Sequence, residues 1–231
     1  LQFAGKSIET SPSRIFNCAY LPVDSVYAFP ETMFLLLGGT GCGYSVQKHH
    51  VEKLPVIKGL LKTKRRFLVA DNIEGWAETI RILLEAYFHG KSEPVFDFRD
   101  IRPKGALISG GFKAPGPEPL RKALQKCEEL IESHLATGAK RMSPIVAYDF
   151  VMHMSDAVLA GGVRRSATIC MFSKDDDEML NAKTGNWFIS NPQRGRSNNS
   201  VVLLRNEITR EEWAKIMQSV KQFGEPGFIF T

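Results

Sequence analysis

The sequence predicts an α/β fold in which five parallel strands form one sheet with helices on both faces. Short apolar segments alternate with amphipathic helical segments along the 231 residues, the order expected for parallel strands joined by right-handed crossovers. Several helical segments end at glycine, a common helix stop, and 43% hydrophobic residues suffice for a full core. With no internal repeat or linker, residues 1–231 are interpreted as a single domain with an excursion at about residues 47–70.

The five strands are predicted from short apolar runs bounded by turn residues. They are residues 14–21, a strand into which the glycine-rich residues 39–46 lead, and residues 167–172, 201–204 and 228–230. The first, RIFNCAYL, is rich in aromatic and branched residues and lies between proline-containing turns, as expected for a strand in a covered sheet.

Helices are predicted between the strands from their apolar periodicity and their caps. Asp24 and Ser25 are candidate caps of a helix that ends at residue 37, and Asp71 or Asn72 begins a helix that ends at Gly90. Further helices are expected over residues 118–135, 143–159 and 209–223, the last opened by a Thr-x-x-Glu capping box. Residues 96–119 are interpreted as a long, ordered connection rich in glycine and proline.

Composition excludes several classes of protein. The four cysteines are scattered without a CxxC pair, which argues against a disulfide framework or a zinc site and favours a reducing, cytoplasmic location. No apolar run is long enough for a membrane span, and no leader peptide is recognisable. The net charge of +5 suggests anionic partners. No metal site is expected, since the adjacent His49 and His50 diverge.

Three features remain open to a structural or a functional interpretation. Cys18 is either a small core residue or a thiol facing a site. The alternating glycines of residues 39–43 either mark a nucleotide site or a close backbone approach. The basic group Lys62, Lys64, Arg65 and Arg66 is either a solvated loop or a phosphate contact.

Several stretches taken together resemble the large catalytic subunit of ribonucleotide reductase. They are RIFNCAYLPVDS, LLLGGTGCGYSVQ, IRPKGALISGG with GPEPL, AVLAGGVRRSA, NPQRGRSNNSVVLLR and GEPGFIF. The resemblance extends along the whole chain in the family's order and is greatest to the adenosylcobalamin-dependent class II enzymes. It implies that the five strands form the first half of a ten-stranded α/β barrel, with adenosylcobalamin as cofactor.

The resemblance also implies site residues. Cys18 is similar to the family cysteine that reduces the substrate as one of a pair that becomes a disulfide. Asn17 falls at the substrate phosphates, and Gly39, Thr40 and Gly41 resemble the segment that passes under the substrate. For the deoxynucleoside triphosphate effector, the matching residues are Asp24, Lys48, Gly162, Arg164, Arg165 and Ser166.

One departure from the family pattern is important. The radical cysteine of the family lies in an Asn-x-Cys-x-Glu loop, which this sequence lacks; Asn191-Pro192-Gln193 carries Gln at the thiol position. We therefore expect the chain alone to be inactive and to need a second polypeptide with the rest of the barrel, plus a thioredoxin-like reductant. A non-catalytic effector-binding module is the alternative, and a basic nucleic-acid binder is a third hypothesis that we disfavour.

Overall fold

The central sheet has five strands, all parallel. The computed structural model describes residues 5, 8–9, 12–108, 113–160 and 167–231. The sheet consists of β1 (Cys18–Pro22), β2 (Gly41–Ser45), β5 (Thr168–Ser173), β6 (Ser197–Leu203) and β7 (Gly227–Phe230), adjacent in that order. The predicted five-stranded parallel sheet is therefore confirmed, with its strands in chain order and every neighbouring pair parallel.

Helices connect these strands, and the five longest lie where the sequence predicts helices. The helices are α1 (Ala28–Leu37), α2 (Lys48–Val51), α3 (Ile73–His89), α4 (Glu118–Ala136), α5 (Pro144–Ala160), α6 (Asp177–Leu180), α7 (Trp187–Ser190) and α8 (Arg210–Phe223). Two short 3-10 turns, Pro12–Ile15 and Pro192–Arg196, precede β1 and β6. None of the helices in the described ranges is long and apolar enough to cross a membrane.

Local sequence explains both ends of α3 and the start of α8. The Asn72 side chain accepts a hydrogen bond from the Gly75 amide at 2.7 Å and caps α3. Gly90 ends that helix in the left-handed conformation, at φ 64°, which glycine adopts without steric cost. Thr209 and Glu212 form the predicted reciprocal capping box of α8.

The start of α1 differs from the prediction. Its N-cap is Tyr27, with no side-chain cap, so Asp24 and Ser25 do not cap the helix. The Ser25 hydroxyl instead accepts from the Tyr27 amide at 3.2 Å, inside the turn that follows β1. Pro30 lies within the first turn of α1, where its missing N–H breaks no helical hydrogen bond. The helix therefore continues through Pro30 without interruption.

The helices cover one face of the sheet rather than both. Residues that alternate along a strand point to opposite faces, and β5 alternates strictly between buried and half-buried positions. The covered face carries side chains at most 1% exposed that belong to one core with the helices: Cys42, Tyr44, Cys170, Phe172, Val201 and Leu203. The other face, which we call the open face, carries Cys18, Tyr20, Gly41, Gly43, Ile169, Met171, Asn198, Val202 and Ile229.

A second sheet occupies the region predicted as an excursion and a loop. Strands β3 (Leu61–Leu68) and β4 (Ser92–Asp97) pair in parallel on either side of α3 in the chain. The basic group therefore lies on a strand, not in a loop. The first part of the predicted 96–119 connection is also strand, as far as Asp97.

Candidate functional site

Cys18 is the first residue of β1 and points to the open face. Cys18 is exposed, whereas the other three cysteines are buried. The core interpretation of this thiol is therefore wrong. Because β1 is an edge strand of the sheet, Cys18 has β2 on one side and no strand of the described chain on the other.

Two glycines form the surface next to this thiol. Gly41 is the parallel partner of Cys18, and Gly43 is the partner of Tyr20. Neighbouring strands lie about 4.8 Å apart, so the backbone of Gly41 is bare beside the sulfur. A Cβ atom at Gly43 would approach Ile169 Cγ2 to 3.3 Å and Tyr20 Cδ2 to 3.5 Å. At these two glycines the open face therefore presents backbone, with the larger side chains of Tyr20 and Ile169 next to Gly43.

The segment that precedes β1 is fixed to the segment that precedes β2. The Asn17 carbonyl accepts from the Gly41 amide at 2.9 Å, while the Asn17 side chain is left exposed. The Thr40 hydroxyl donates to the Phe16 carbonyl at 3.1 Å, and Thr40 is 2% exposed. Gly39 has φ 88°, which favours glycine at the turn after α1. Thr40 thus fixes the backbone beside Cys18 with its own side chain.

The three buried cysteines have different surroundings. Cys42 lies in β2 opposite Ala19 and points to the covered face, and burial raises the pKa of its thiol to about 11. Burial also raises the pKa of Cys127 and of Cys170 above the ordinary value. A raised pKa leaves little of the nucleophilic thiolate at neutral pH, so burial disfavours reaction at these three thiols, whereas Cys18 is exposed.

Two of the predicted effector residues lie just beyond the carboxyl ends of β1 and β2. We call this end of the sheet the carboxyl edge, and Cys18 lies at the other end, the amino edge. Asp24 follows the end of β1, where its carboxylate lies 3.5 Å from Lys53 Nζ. Lys48 follows β2, and its ammonium donates to an Asp175 carboxylate oxygen at 2.7 Å. That hydrogen bond raises the pKa of Lys48 above its usual value. Four residue steps along β1 separate this edge from Cys18, a distance of roughly 13 Å.

Curated relatives cover between 71% and 93% of the chain. A probable adenosylcobalamin-dependent ribonucleoside-triphosphate reductase of Dictyostelium discoideum is 29% identical over 241 residues and covers 93% of this chain. The adenosylcobalamin-dependent ribonucleoside-triphosphate reductase of Euglena gracilis is 28% identical and also covers 93%. That of Lactobacillus leichmannii is 30% identical over 169 residues, or 71% of this chain. The chain is a homologue of these reductases.

The fold comparison agrees with this relationship. The crystal structure of a B-12-dependent, class II ribonucleotide reductase superposes with a TM-score of 0.79 at 23% identity. The superposition covers 94% of this chain and 36% of the chain in the crystal structure. The chain spans about a third of the length of the relatives it matches, at 30% of the Dictyostelium reductase and 29% of the Euglena reductase. No protein-family model matches the chain.

The structure brings together part of the predicted set of this reductase homologue. Asn17, Cys18, Thr40 and Gly41 meet at the amino edge of the sheet, while Asp24 and Lys48 lie at the carboxyl edge. Gly162, Arg164, Arg165 and Ser166 lie outside the described residues. These assignments of function stay predictions.

The predicted site omits Tyr20, a residue of the open face. This tyrosine is 54% exposed, two residues after Cys18, and lies beside Gly43 of the predicted glycine segment. The period of two along each strand was the available signal, because residues 18 and 20, or 41 and 43, must share a face. Among the described residues no cluster of three or more His, Cys, Asp or Glu could hold a metal ion.

Proposed function

We propose that this chain supplies the first half of the catalytic barrel of a ribonucleotide reductase and that Cys18 is one of its two reducing thiols. The homology to adenosylcobalamin-dependent ribonucleoside-triphosphate reductases supports this proposal. The single observation that carries it is the position of Cys18, which is exposed on the open face beside the bare backbone of Gly41.

The proposed reaction needs a thiol at such a position. The C2′–O bond of the ribose breaks, the oxygen leaves as water, and a C2′–H bond forms. Two thiols lose two electrons and their hydrogens and become a disulfide, which balances the reduction. Cys18 provides one of these thiols and a proton for the leaving oxygen. A thioredoxin-like dithiol then reduces the disulfide, and the deoxyribonucleotide product serves DNA synthesis.

The second thiol comes from residues other than the remaining cysteines of this sequence. Cys42 and Cys170 point to the covered face, on the far side of the sheet from Cys18. Cys127 is buried in α4, where its sulfur lies 3.8 Å from the Phe150 carbonyl oxygen. We therefore propose that the 231 residues are inactive alone, and that the open face packs against the residues that carry the partner thiol and the Asn-x-Cys-x-Glu loop.

Adenosylcobalamin is named as the cofactor of the relatives. Its cobalt is carried by its own corrin ring, so binding it does not need a cluster of protein metal ligands. We propose it as the cofactor of the complete enzyme, where residues outside this chain would contribute to its site.

A reconstitution experiment tests this function. The chain is combined with a polypeptide that carries the rest of the barrel, and with adenosylcobalamin, a dithiol and a ribonucleoside triphosphate. We expect deoxyribonucleotide from the mixture and none from the chain alone. Cys18→Ser should abolish formation of the product, because serine cannot form the disulfide.

The matched control is Cys42→Ala, which removes a thiol from the adjacent strand but on the opposite face. It should retain turnover in whatever fraction of the protein folds. Full activity of Cys18→Ser would exclude the proposed role of this thiol.

A deoxynucleoside triphosphate effector is the second proposal, and it accounts for the residues at the carboxyl edge. Asp24 and Lys48 follow adjacent strands β1 and β2, so they approach the same ligand from neighbouring loops. Calorimetric titration of the chain with deoxynucleoside triphosphates should give saturable binding that Asp24→Asn weakens. An equal loss in the exposed Asp100→Asn variant would mean that binding does not involve this edge.

A further inference from the structure

A cleft at the carboxyl end of the small sheet is lined by three arginines. Arg66 of β3, Arg99 after β4 and Arg121 of α4 surround a cleft of about 410 Å³ that also borders Asp97 and Phe98. Ligands of parallel α/β sheets bind outside the carboxyl ends of strands, and both strands of this sheet end here. None of the cleft residues belongs to the predicted substrate or effector set.

The guanidinium groups are held in place before any ligand binds. Arg66 Nη2 lies 2.7 Å from an Asp97 oxygen, and Arg99 Nε donates to the same carboxylate at 2.7 Å. The Arg121 guanidinium carbon lies 4.5 Å from the centre of the Phe98 ring, and its Nε donates to Glu118 at 3.1 Å. Such pre-ordering lowers the entropy lost on binding.

Positive charge exceeds negative charge in this cleft. The Asp97 side chain is 11% exposed and neutralises one charge, while the Arg66 and Arg99 side chains that bind it are 67% and 63% exposed. Hydrogen bonding from Arg99 keeps the pKa of Asp97 below its usual value, so its carboxylate stays ionised around neutral pH. Two exposed carboxylates outside the lining reduce this excess: Glu118 accepts a hydrogen bond from Arg121, and Asp100 is close enough to Arg99 to interact with its charge. Each guanidinium has five N–H donors, and most of them are not used by other described residues.

We propose that this cleft binds the phosphate groups of a small molecule, such as a polyphosphate or a phosphorylated metabolite. Arginine's planar fork matches phosphate oxygens in a bidentate manner. The volume falls within the range of small-molecule sites, which favours a compact ligand over an extended acidic peptide. The site is independent of the function proposed above, since it contains neither Cys18 nor any residue of the open face.

The neighbouring Arg65 provides a matched control. It precedes Arg66 in β3, so its side chain points to the other face of the strand. There it lies 5.1 Å from the Phe67 ring centre and borders a different cleft. Replacing it removes the same charge from the same strand without changing the three-arginine cleft.

The test is calorimetric titration of the 231-residue chain with pyrophosphate and with tripolyphosphate at low ionic strength. We expect saturable binding that weakens as salt is added, because exposed charges are screened. The double substitution Arg99→Gln with Arg121→Gln should raise Kd about tenfold or more, since several charge-assisted hydrogen bonds are lost. Arg65→Gln should change Kd less than about twofold, and Cys18→Ser should not change it.

Three results would overturn the proposal. The unchanged chain fails to bind either phosphate, or Arg65→Gln weakens binding as much as the double variant, or a hexaglutamate peptide binds as tightly as tripolyphosphate. Circular dichroism of each variant establishes that it is folded. Arg121→Lys is the second variant, because it keeps the charge and the stem over Phe98 but loses the fork, and it should weaken binding by an intermediate amount.

Discussion

The two faces of the five-stranded sheet differ sharply although the same strands form both. On the covered face, Tyr44, Cys170 and Phe172 are fully buried against the helices. On the open face, Tyr20 is 54% exposed and Ile169 and Met171 are half-buried. Parallel sheets ordinarily have both faces covered. The open face is therefore the surface of the sheet that is available to a ligand or to further polypeptide.

The covered face carries the side chains that stabilise the fold, whereas the open face carries the cysteine to which we assign a chemical role. The covered face holds the large side chains and the buried cysteines, whose raised pKa makes them inert. The open face carries Cys18 together with glycine, which exposes the backbone but contributes nothing to packing. One strand thus contributes to the core with alternate residues and presents an exposed thiol with the others. Four predictions test this division.

The largest effect is expected from a pair of neighbouring truncations in β5. Phe172→Ala removes a fully buried ring from the covered face and should lower the free energy of unfolding by about 3–5 kcal/mol. Met171→Ala truncates the next residue, which is half-buried on the open face, and should cost about 1 kcal/mol. Urea denaturation of both variants measures the difference. Equal losses would mean that the open face is packed as tightly as the covered one.

The next largest effect on the free energy of unfolding is expected from a buried ion pair on the covered side of the sheet, between Arg194 and Asp149. Arg194 donates to both oxygens of Asp149 on α5, from Nε at 2.8 Å and from Nη2 at 2.7 Å. Asp149→Ala leaves the Arg194 charge buried without its partner and should cost about 3 kcal/mol. The control, Asp156→Ala, breaks the exposed pair with Arg196 and should cost at most about 1 kcal/mol. Denaturation midpoints that shift equally would contradict the buried role of Asp149.

Thiol labelling distinguishes the faces chemically. In the folded chain an aromatic disulfide reagent should modify Cys18 rapidly, while Cys42, Cys127 and Cys170 stay protected by burial. With a pKa of about 11, Cys42 has on the order of a thousandth of its thiol ionised at pH 8, which slows its reaction further. The expected stoichiometry is one thiol when folded and four after unfolding. Rapid labelling that persists in Cys18→Ser would mean that another cysteine is accessible.

The sequence predicts the central sheet well because its strands are apolar and bounded by strong turn signals. It fails for β3, where residues 61–68 include four basic side chains and nearly every position is exposed. Such a segment has no apolar period, so nothing in its pattern separates a strand from a solvated loop. Pro94 in β4 adds to the difficulty, because proline is uncommon inside strands.

The candidate site was harder to predict than the fold. That Cys18 lies in a strand follows from its apolar neighbours, but its face depends on register with β2 and on which side the helices pack. A shift by one residue would exchange Cys18 with Ala19 and turn the thiol to the covered face. That choice is made by long-range packing, which the local sequence does not contain. The resemblance of the motifs, not their spacing, pointed to Cys18.

The smallest effect on stability is expected at α8, the helix that packs on the edge strand β7 from the covered face. Trp213 of α8 packs on Phe228, with ring centres 4.8 Å apart, so loosening the start of α8 uncovers β7. Thr209→Ala removes the cap and should cost about 1 kcal/mol. Glu212→Gln keeps the hydrogen bond but loses the charge that interacts with Lys174.

The charge of Glu212 makes this last contribution dependent on pH. Its hydrogen bond with the Thr209 backbone, and then Lys174, lower the pKa of Glu212 below the usual value. A group with a depressed folded-state pKa stabilises the fold above its unfolded-state pKa, about 4.3 for glutamate, and loses this effect as the pH falls through the folded-state value. The stability gap between the unchanged chain and Glu212→Gln should therefore be constant near pH 7 and close in acid. Thermal denaturation at a series of pH values measures it, and a gap that widened in acid would mean that Glu212 is destabilised by its surroundings.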